Sequence, residues 1–440
     1  MSKINDSVTN SLIGQLLNYH HSNVPTFIPG KSWVPVSSPE LNDNDLSELI
    51  QCVLGRWYTE GKYCKDFSGS LAKVMDKDHC QLVNSGSSAS LVAMLAACEG
   101  HKNKLVVTTA LAFPTTVAPI YQSGNIPYFI DTNPDTLAPD YDQLDEIINS
   151  PNPIFEEVIG GIFTHTLGFP IDEGAICWIL GEGKFFIADC CDALGACITV
   201  KDRCELGAYA DICTLSFFPA HHIFAGQGGA VLTDNELYRE RMRSLANWGR
   251  SCTCAPGQQN VCGKRFCWED RGLLPEGFDH KYIFDRLGYN LQMTEFQAAL
   301  GWSQLQRLDE FTFKRRWNFG YLQDNIRAIF TEDEIRFIDI PEWSFPSPFG
   351  LPIMVEETAP FTASDLIQFL ESRKVATRRL FAGNLTKQPG FMNLPRMSKD
   401  LSGTDEIMER MFWIGCAPIL TMEMLNYVIS VFGDFRNGSV

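Results

Sequence analysis

From about Cys80 onward the chain alternates short apolar runs with stretches of helical spacing, and no other feature constrains its fold as much. Cys80 to Val83, Leu105 to Thr108, Pro127 to Ile130, Val158 to Phe163, Phe185 to Ala188, Ile212 to Phe217 and Ala230 to Leu232 each have the length and apolar content of a buried strand. Runs without polar alternation need cover on both faces, and helix-length crossovers between them let successive strands point the same way. The pattern predicts an α/β fold built on a mainly parallel, doubly wound, seven-stranded sheet. Ligands in such sheets sit at the carboxyl ends of the strands, so the residues that follow each run are the candidates for chemistry.

The flanks read differently. Ser7 to Tyr19 shows helical spacing of Leu12, Ile13, Leu16 and Leu17, followed by an extended region around Pro25, Pro29 and Pro35. Asp43 to Cys52 reads as a second helix and Trp57 to Lys62 as a turn. After Thr294 one long helical pattern runs to about Asn325, with Phe296, Leu300, Leu308 and Phe311 on a broad face that Gln304 interrupts. Beyond it, Ile335 to Ile338, Leu351 to Val355, a helix near Asp365 to Lys374, Ala376 to Phe381 and a last helix from Thr421 suggest a smaller α+β domain. The expected division is an N-terminal arm at 1–40, a large cofactor-binding domain at 41–310 and a small C-terminal domain at 311–440.

A formal charge of -17 opposes a phosphate-backbone partner, and no basic run argues back, so no nucleic acid is expected. A small anion can still bind locally at a helix N-terminus. The longest apolar run, around Leu91 to Cys98, is far short of the roughly 20 residues of a bilayer span. Met1 to Asp6 lacks the apolar core of a signal peptide, so the reading is a cytoplasmic protein with no membrane partner. In a reducing cytosol, thiols spaced like Cys252, Cys254 and Cys262 are metal ligands or buried small residues rather than disulfide partners. Cys52, Cys98, Cys177, Cys213 and Cys416, in apolar surroundings, read as core.

Three stretches carry candidate chemistry. Asn84-Ser85-Gly86-Ser87-Ser88-Ala89 stands between a strand and a helix, where N–H groups and hydroxyls suit a phosphate dianion; an ordinary turn with a serine cap is the plainer reading. Asp189 follows the strand at Phe185, where a carboxylate can pair with a protonated pyridine nitrogen or cap a helix. Ser216-Phe217-Phe218-Pro219-Ala220-His221-His222 runs into the glycine turn Gly226-Gln227-Gly228-Gly229.

Together with Asp189-Cys190-Cys191-Asp192-Ala193-Leu194-Gly195, Asn247-Trp248-Gly249-Arg250 and Gly288-Tyr289-Asn290, these stretches resemble the sugar-nucleotide (DegT/DnrJ/EryC1/StrS) branch of the aspartate aminotransferase superfamily. The resemblance covers most of the chain from near Phe27. It implies the fold type I architecture of pyridoxal-phosphate-dependent transferases and a homodimer. It also implies that Gly86, Ser87 and Ser216 hold the cofactor phosphate, with Asn247 reaching it from a second subunit. Phe113 would stack on the cofactor ring, Asp189 would meet its nitrogen, and Asp192 would belong to the same cofactor-binding segment. Arg378, in Ala376-Thr377-Arg378-Arg379, and Tyr289 would bind substrate; an exposed surface arginine is the plain alternative for Arg378. Ala188 stands where relatives often carry Glu, and Gln227 interrupts a usual Gly-Glu-Gly-Gly.

Where relatives place a lysine that binds the cofactor covalently, this chain has His221. A histidine cannot form that imine, so the cofactor enters as pyridoxamine 5'-phosphate and is held non-covalently. Imidazole titrates near neutrality and can move a proton at the cofactor's benzylic carbon. Spacing from Ser216 selects His221 over His222. The resemblance also implies a 2Fe-2S cluster on a loop at about 250–265, held by Cys252, Cys254 and Cys262 with Cys191 fourth; Cys190, Cys197 and Cys204 are weaker candidates. Four thiolates suit that cluster or tetrahedral zinc, and only iron carries electrons. The implied activity is removal of the C3 hydroxyl from a nucleotide-linked 4-keto-6-deoxyhexose. Electrons would come from an NADH-dependent iron-sulfur flavin reductase or a ferredoxin-type donor. The alternatives are a cluster-free 3-dehydratase with the same histidine and an inactive, zinc-stabilised binding protein. The residues do not choose among CDP, TDP and GDP.

Overall fold

The computed structural model describes residues 7–22, 26–200, 203–254 and 260–438. Helices α1 (Ser7–Ser22), α2 (Asp43–Gly55) and α3 (Lys62–Val74) precede the sheet. All seven apolar runs form strands: β1 (His79–Val83), β2 (Leu105–Thr109), β3 (Ile126–Ile130), β4 (Val158–Thr164), β5 (Phe185–Asp189), Ile212–Ser216 and Gly229–Thr233. The expected count of seven is corrected to eight by Met397–Ser398, which pairs parallel with β3. A two-residue strand leaves no periodicity to read, but it covers an otherwise open sheet edge. The order is β1, Gly229–Thr233, Ile212–Ser216, β5, β4, β2, β3, Met397–Ser398. Gly229–Thr233 runs antiparallel to both neighbours, and the other pairings are parallel.

A second, antiparallel sheet takes Ile335–Arg336, Gly350–Val355, Met411–Gly415 and Thr377–Arg378 in that order. Its core is separate from the large one and gathers Leu351, Ile353, Phe412, Leu366, Leu425 and Phe432. Val34 of the N-terminal segment belongs to that second core and bridges Val375.

The long helix expected after Thr294 is two helices, Glu295–Leu305 and Leu308–Arg327, divided at Gln306 and Arg307. Gln304, the polar break in the stripe, is buried because its amide donates to Glu40 O at 3.0 Å and to Asp45 Oδ2 at 2.6 Å. Leu308 and Phe311 lie in the large core, while Phe319, Leu322 and Ile326 lie in the second. One helix thus passes the chain from one core to the other.

The turn at Trp57 leads into α3, which sequence spacing does not announce. Its N-cap is Gly61, which offers no side chain; the Glu295 carboxylate accepts instead from the N–H groups of Gly61, Tyr63 and Cys64 at 2.8–2.9 Å. Unpaired first-turn donors need an acceptor from somewhere, and here it comes from the far end of the domain.

Cys52, Cys98, Cys213 and Cys416 are buried as expected, but Cys177 is exposed. It lies on the helix Glu173–Leu180, whose buried residues are Glu173, Ile176 and Leu180. Cys197 is disulfide-bonded, which corrects its candidacy as a ligand; the side chain of Cys204 lies outside the described residues. Among the described residues no helix is long and apolar enough to cross a membrane.

Candidate active site

Three strand ends build the floor of the site. After β1 the chain turns at Ser85, which caps α4 (Gly86–Ala97) by accepting from Ser88 N at 3.1 Å. The first-turn N–H groups of Gly86 and Ser87 have no acceptor within the helix. Ser87 Oγ donates to Thr115 Oγ1 at 2.9 Å. Gly86 lies so close to the end of Ile212–Ser216 that a Cβ there would meet Ser216 Cβ at 2.4 Å. Glycine is what lets the helix N-terminus and the Ser216 hydroxyl share one cradle, so the serine cap and the anion reading hold together.

Register across the sheet puts Thr164, Asp189 and Thr214 in one row. Asp189 is buried and accepts from Thr116 Oγ1 at 2.7 Å, Thr214 Oγ1 at 3.2 Å and Cys191 N at 3.2 Å. Turns rather than a helix follow it, so the helix-cap reading is set aside. Thr116 and Thr214, which aim this carboxylate, were missed by sequence reasoning; their only signal is position at a helix start and a strand end.

His221 and His222 separate clearly. His221 lies on the cavity wall with its ring 5.4 Å from that of Phe349, and its Nδ1 is 3.4 Å from Asp192 Oδ1. That nitrogen has no hydrogen bond, so the contact with Asp192 is electrostatic at this distance. His222 is buried, with Nε2 2.7 Å from Ser347 O; burial, and then the nearby Arg315 guanidinium, hold its pKa well below the usual imidazole range. It stays neutral and structural, and His221 is the imidazole available to a ligand.

Gly86, Ser87, Phe113, Asp189, Asp192, Ser216, His221 and Arg378 line one cavity of about 550 Å³. Phe349 and Trp413 complete its apolar wall, although no local pattern marks them. Phe113 is half-exposed at the mouth and meets Phe381 edge-on, with centroids 6.5 Å apart. Arg378 is exposed at the rim, whereas Arg379 spends its guanidinium on Glu409 O and Met411 O. Asn247 and Tyr289 do not reach this cavity within one chain: Trp248 N donates to Tyr289 O, and Asn247 bridges Asn290. The Asn247 Oδ1 is buried without a hydrogen bond.

The thiols collect elsewhere. Ser251 N donates to Ile283 O and Arg250 bridges Phe284, so the strand-like pair brings Cys252 beside His280. Only glycine fits at Gly249, where φ is +82° and a Cβ would lie 1.9 Å from Arg286 O. Cys252, Cys254 and His280 place their ligand atoms within 4.8 Å of one another, and Cys262 Sγ is 3.6 Å from His280 Nε2. Burial works to raise the Cys254 thiol, but the Cys262 N–H, the Cys262 and Cys252 thiols and the Val261 N–H outweigh it and lower it. The expected loop runs through residues 255–259, which lie outside the described residues.

Cys191, expected as the fourth ligand, is not in this group. It lines the cofactor cavity, with Sγ 4.0 Å from Thr214 Oγ1. Burial, then the Asp189 and Asp192 carboxylates, push its thiol well up, so it keeps its proton. Cys190 is buried in the large core. A side chain beside these thiols that sequence reasoning missed is His280, far along the chain from the thiol spacing that drew attention to the loop.

A mainly parallel sheet whose strand ends bring together a helix N-terminus, a hydroxyl, a buried carboxylate and an imidazole has the architecture of a pyridoxal-phosphate-dependent transferase of fold type I. Residues 39–432 match the DegT/DnrJ/EryC1/StrS aminotransferase family, and the chain belongs to it. It is 38% identical over 436 residues to the lipopolysaccharide biosynthesis protein RfbH of Salmonella typhimurium, with 96% of each chain covered. It is 35% identical over 434 residues to dTDP-4-dehydro-2,6-dideoxy-D-glucose 3-dehydratase of Saccharopolyspora spinosa, covering 96% of this chain and 91% of that one. Among solved structures, the E. coli GDP-4-keto-6-deoxy-D-mannose-3-dehydratase with bound hydrated PLP superposes with a TM-score of 0.79 at 22% identity, over 90% of this chain and 98% of that one. The chain is thus an enzyme of a pyridoxal-phosphate-dependent family, and the cradle at Gly86 and Ser216 with the carboxylate of Asp189 fits that cofactor.

Proposed function

We propose that this enzyme removes the C3 hydroxyl of a nucleotide-linked 4-keto-6-deoxyhexose, CDP-4-keto-6-deoxyglucose, toward the 3,6-dideoxyhexoses of lipopolysaccharide. When bound, pyridoxamine phosphate supplies the amine that engages the 4-keto group and a ring that accepts electrons. Gly86 and Ser87 N–H groups and the Ser216 hydroxyl hold its phosphate, and Asp189, aimed by Thr116 and Thr214, keeps the ring nitrogen protonated. Phe113 covers the ring. His221 takes a proton from the benzylic carbon, and Asp192 stabilises the imidazolium that results. Arg378 at the rim meets the substrate diphosphate.

Replacing C3–OH by C3–H releases water and requires two electrons and two protons. A 2Fe-2S cluster, which Cys252, Cys254 and Cys262 with Cys191 would hold, would supply those electrons one at a time, drawn from an NADH-dependent iron-sulfur flavin reductase or a ferredoxin-type donor. A homodimer is part of the reading, with Asn247 reaching the phosphate of the neighbouring subunit. In support, the segment around Asn247 exposes Trp248, Tyr282, Phe284, Leu287 and Tyr289.

The observation that carries the proposal is His221, 3.4 Å from Asp192, on the wall of the cavity that holds Asp189 and Ser216. Kinship to proteins named for lipopolysaccharide biosynthesis and for sugar 3-dehydration supports it. The test is an anaerobic preparation's visible spectrum with iron and sulfide counted per chain, followed by turnover with CDP-, TDP- and GDP-linked 4-keto sugars. A brown protein that consumes NADH through a reductase supports the reading. A colourless protein that dehydrates without NADH replaces it with the cluster-free 3-dehydratase.

A further inference from the structure

We infer that Arg315 is a positioning residue for proton transfer by His221: its buried guanidinium ties the turn that carries the base to the strip of cavity wall at Phe349. The inference rests on the reading that His221 is the base, and it adds what holds that base in place.

The base needs a tie because no regular element carries it. Between the strands Ile212–Ser216 and Gly229–Thr233 the chain forms neither helix nor strand. Within that stretch His221 N donates to Phe218 O at 2.9 Å, and Ser37 Oγ donates to Ala220 O at 2.7 Å. The carbonyl of His221 itself is held by Arg315, whose Nη2 donates to it at 3.2 Å. The other arm of the same guanidinium, Nη1, lies 3.3 Å from Pro348 O and 3.3 Å from Phe349 O. Its Cζ stands 5.8 Å from the centre of the Phe349 ring. That ring is the surface against which the His221 imidazole packs, with centroids 5.4 Å apart. One planar group thus fixes the main chain of the base and of its backstop.

Arg315 is 1% exposed, and taking a guanidinium out of water is costly unless its donors are used. Here they serve main-chain carbonyls, which a buried turn cannot leave unpaired. A planar fork spans two strips at once, whereas an ammonium acts as a single point. Position along the helix adds to the argument. Arg315 lies one turn after Phe311, in the large core, and one turn before Phe319, in the second. Phe217 and Ile223, on either side of His221, belong to the large core, and Phe349 belongs to the second. The wall beside the base is therefore a joint between two cores, and Arg315 fastens it where the helix crosses. His222 adds a second tie in the same direction, with Nε2 2.7 Å from Ser347 O.

The experiment makes Arg315→Met and Arg315→Lys in the parent chain and in the His221→Asn variant. One readout is proton release from the benzylic carbon, normalised to bound cofactor. The other is amide hydrogen exchange of the cofactor-free chain, followed by peptide mass. Proton release should fall about 10²-fold in Arg315→Met, the cost of a base displaced by about 1 Å, and about tenfold in Arg315→Lys, which keeps the charge but loses the fork. In the His221→Asn background neither change should lower it further, because Arg315 acts through the base. Without cofactor, Arg315→Met should speed amide exchange about tenfold in segments 217–225 and 347–350 together, leaving the strand Phe185–Asp189 at its parental rate. A general loss of stability would instead speed all three segments and reduce proton release by the same factor in both backgrounds; that result overturns the inference. Should Arg315→Met fail to fold, Arg315→Lys decides: parental values in both readouts overturn it. Proton release lost in His221→Asn but kept in both Arg315 variants also overturns it and leaves the base reading standing. Proton release kept in His221→Asn removes the base and the inference with it.

Discussion

The cofactor cradle and the thiol loop are built in opposite ways. Every cradle residue sits at the end of a strand or the start of a helix, and sheet register fixes Thr164, Asp189 and Thr214 in one row. The thiol loop, between Gly249 and Asp285, contains one short 3-10 turn, His280–Tyr282, among its described residues. Its order comes from the Gly249 approach, the Arg265 pair with Asp279 and the donors themselves. The cradle is thus ordered by the core, whereas the loop is held by a few contacts of its own, such as the His280 Nδ1 approach to Lys264 O and the Arg265 pair with Asp279.

Disturbing one region and watching the other sharpens that contrast. The largest effect is expected from His221→Asn. Proton release from the cofactor's benzylic carbon should fall about 10²- to 10⁴-fold in single-turnover isotope exchange, with cofactor and metal contents unchanged. Unaltered exchange would remove His221 from its role. Next is Glu295→Ala, which strands three N–H groups at the start of α3, two part-buried and that of Cys64 buried. Urea unfolding should show a loss of about 2 to 4 kcal/mol, with metal per chain unaffected. Retained stability would mean that water caps α3 equally well.

Gly86→Ala should weaken cofactor affinity by about 5- to 150-fold, the equivalent of about 1 to 3 kcal/mol of overpacking against Ser216, and spare the thiol loop. Equal losses of cofactor and metal in a titration would show the two regions to be one cooperative unit. The smallest effect separates thiols by protonation. Burial chiefly pushes Cys98 up to about 11, so at pH 8 on the order of one such thiol in a thousand is ionised. Cys254 is lowered, and the thiolate is the nucleophile, so metal-free protein at pH 8 should alkylate Cys254 well ahead of Cys98, as mapped by peptide mass. Raising the pH toward 11 should close that gap; a gap that persists would trace to access rather than charge.

The sequence by itself determined the large sheet, because seven buried runs can satisfy their backbones and hide both faces in few other ways. It also marked the residues that gather at the strand ends, since Gly86, Asp189, Ser216 and His221 lie beside the elements that position them. Local order and local spacing are what a linear reading can see. Contacts between distant positions are what it cannot. Helix α3 depends on a carboxylate more than 230 residues away in sequence, Glu295. Asp131 does the same for Ser402–Arg410, accepting from Gly403 N and Thr404 N at 2.7 Å. Cys191 fits a spacing, yet the sheet carries it to the cofactor cavity, while the pairing of 249–252 with 283–285 delivers His280 to the sulfurs. Only the tertiary structure decided those partners, because a hydrogen bond or a ligand bond depends on distance in space and is indifferent to distance along the chain.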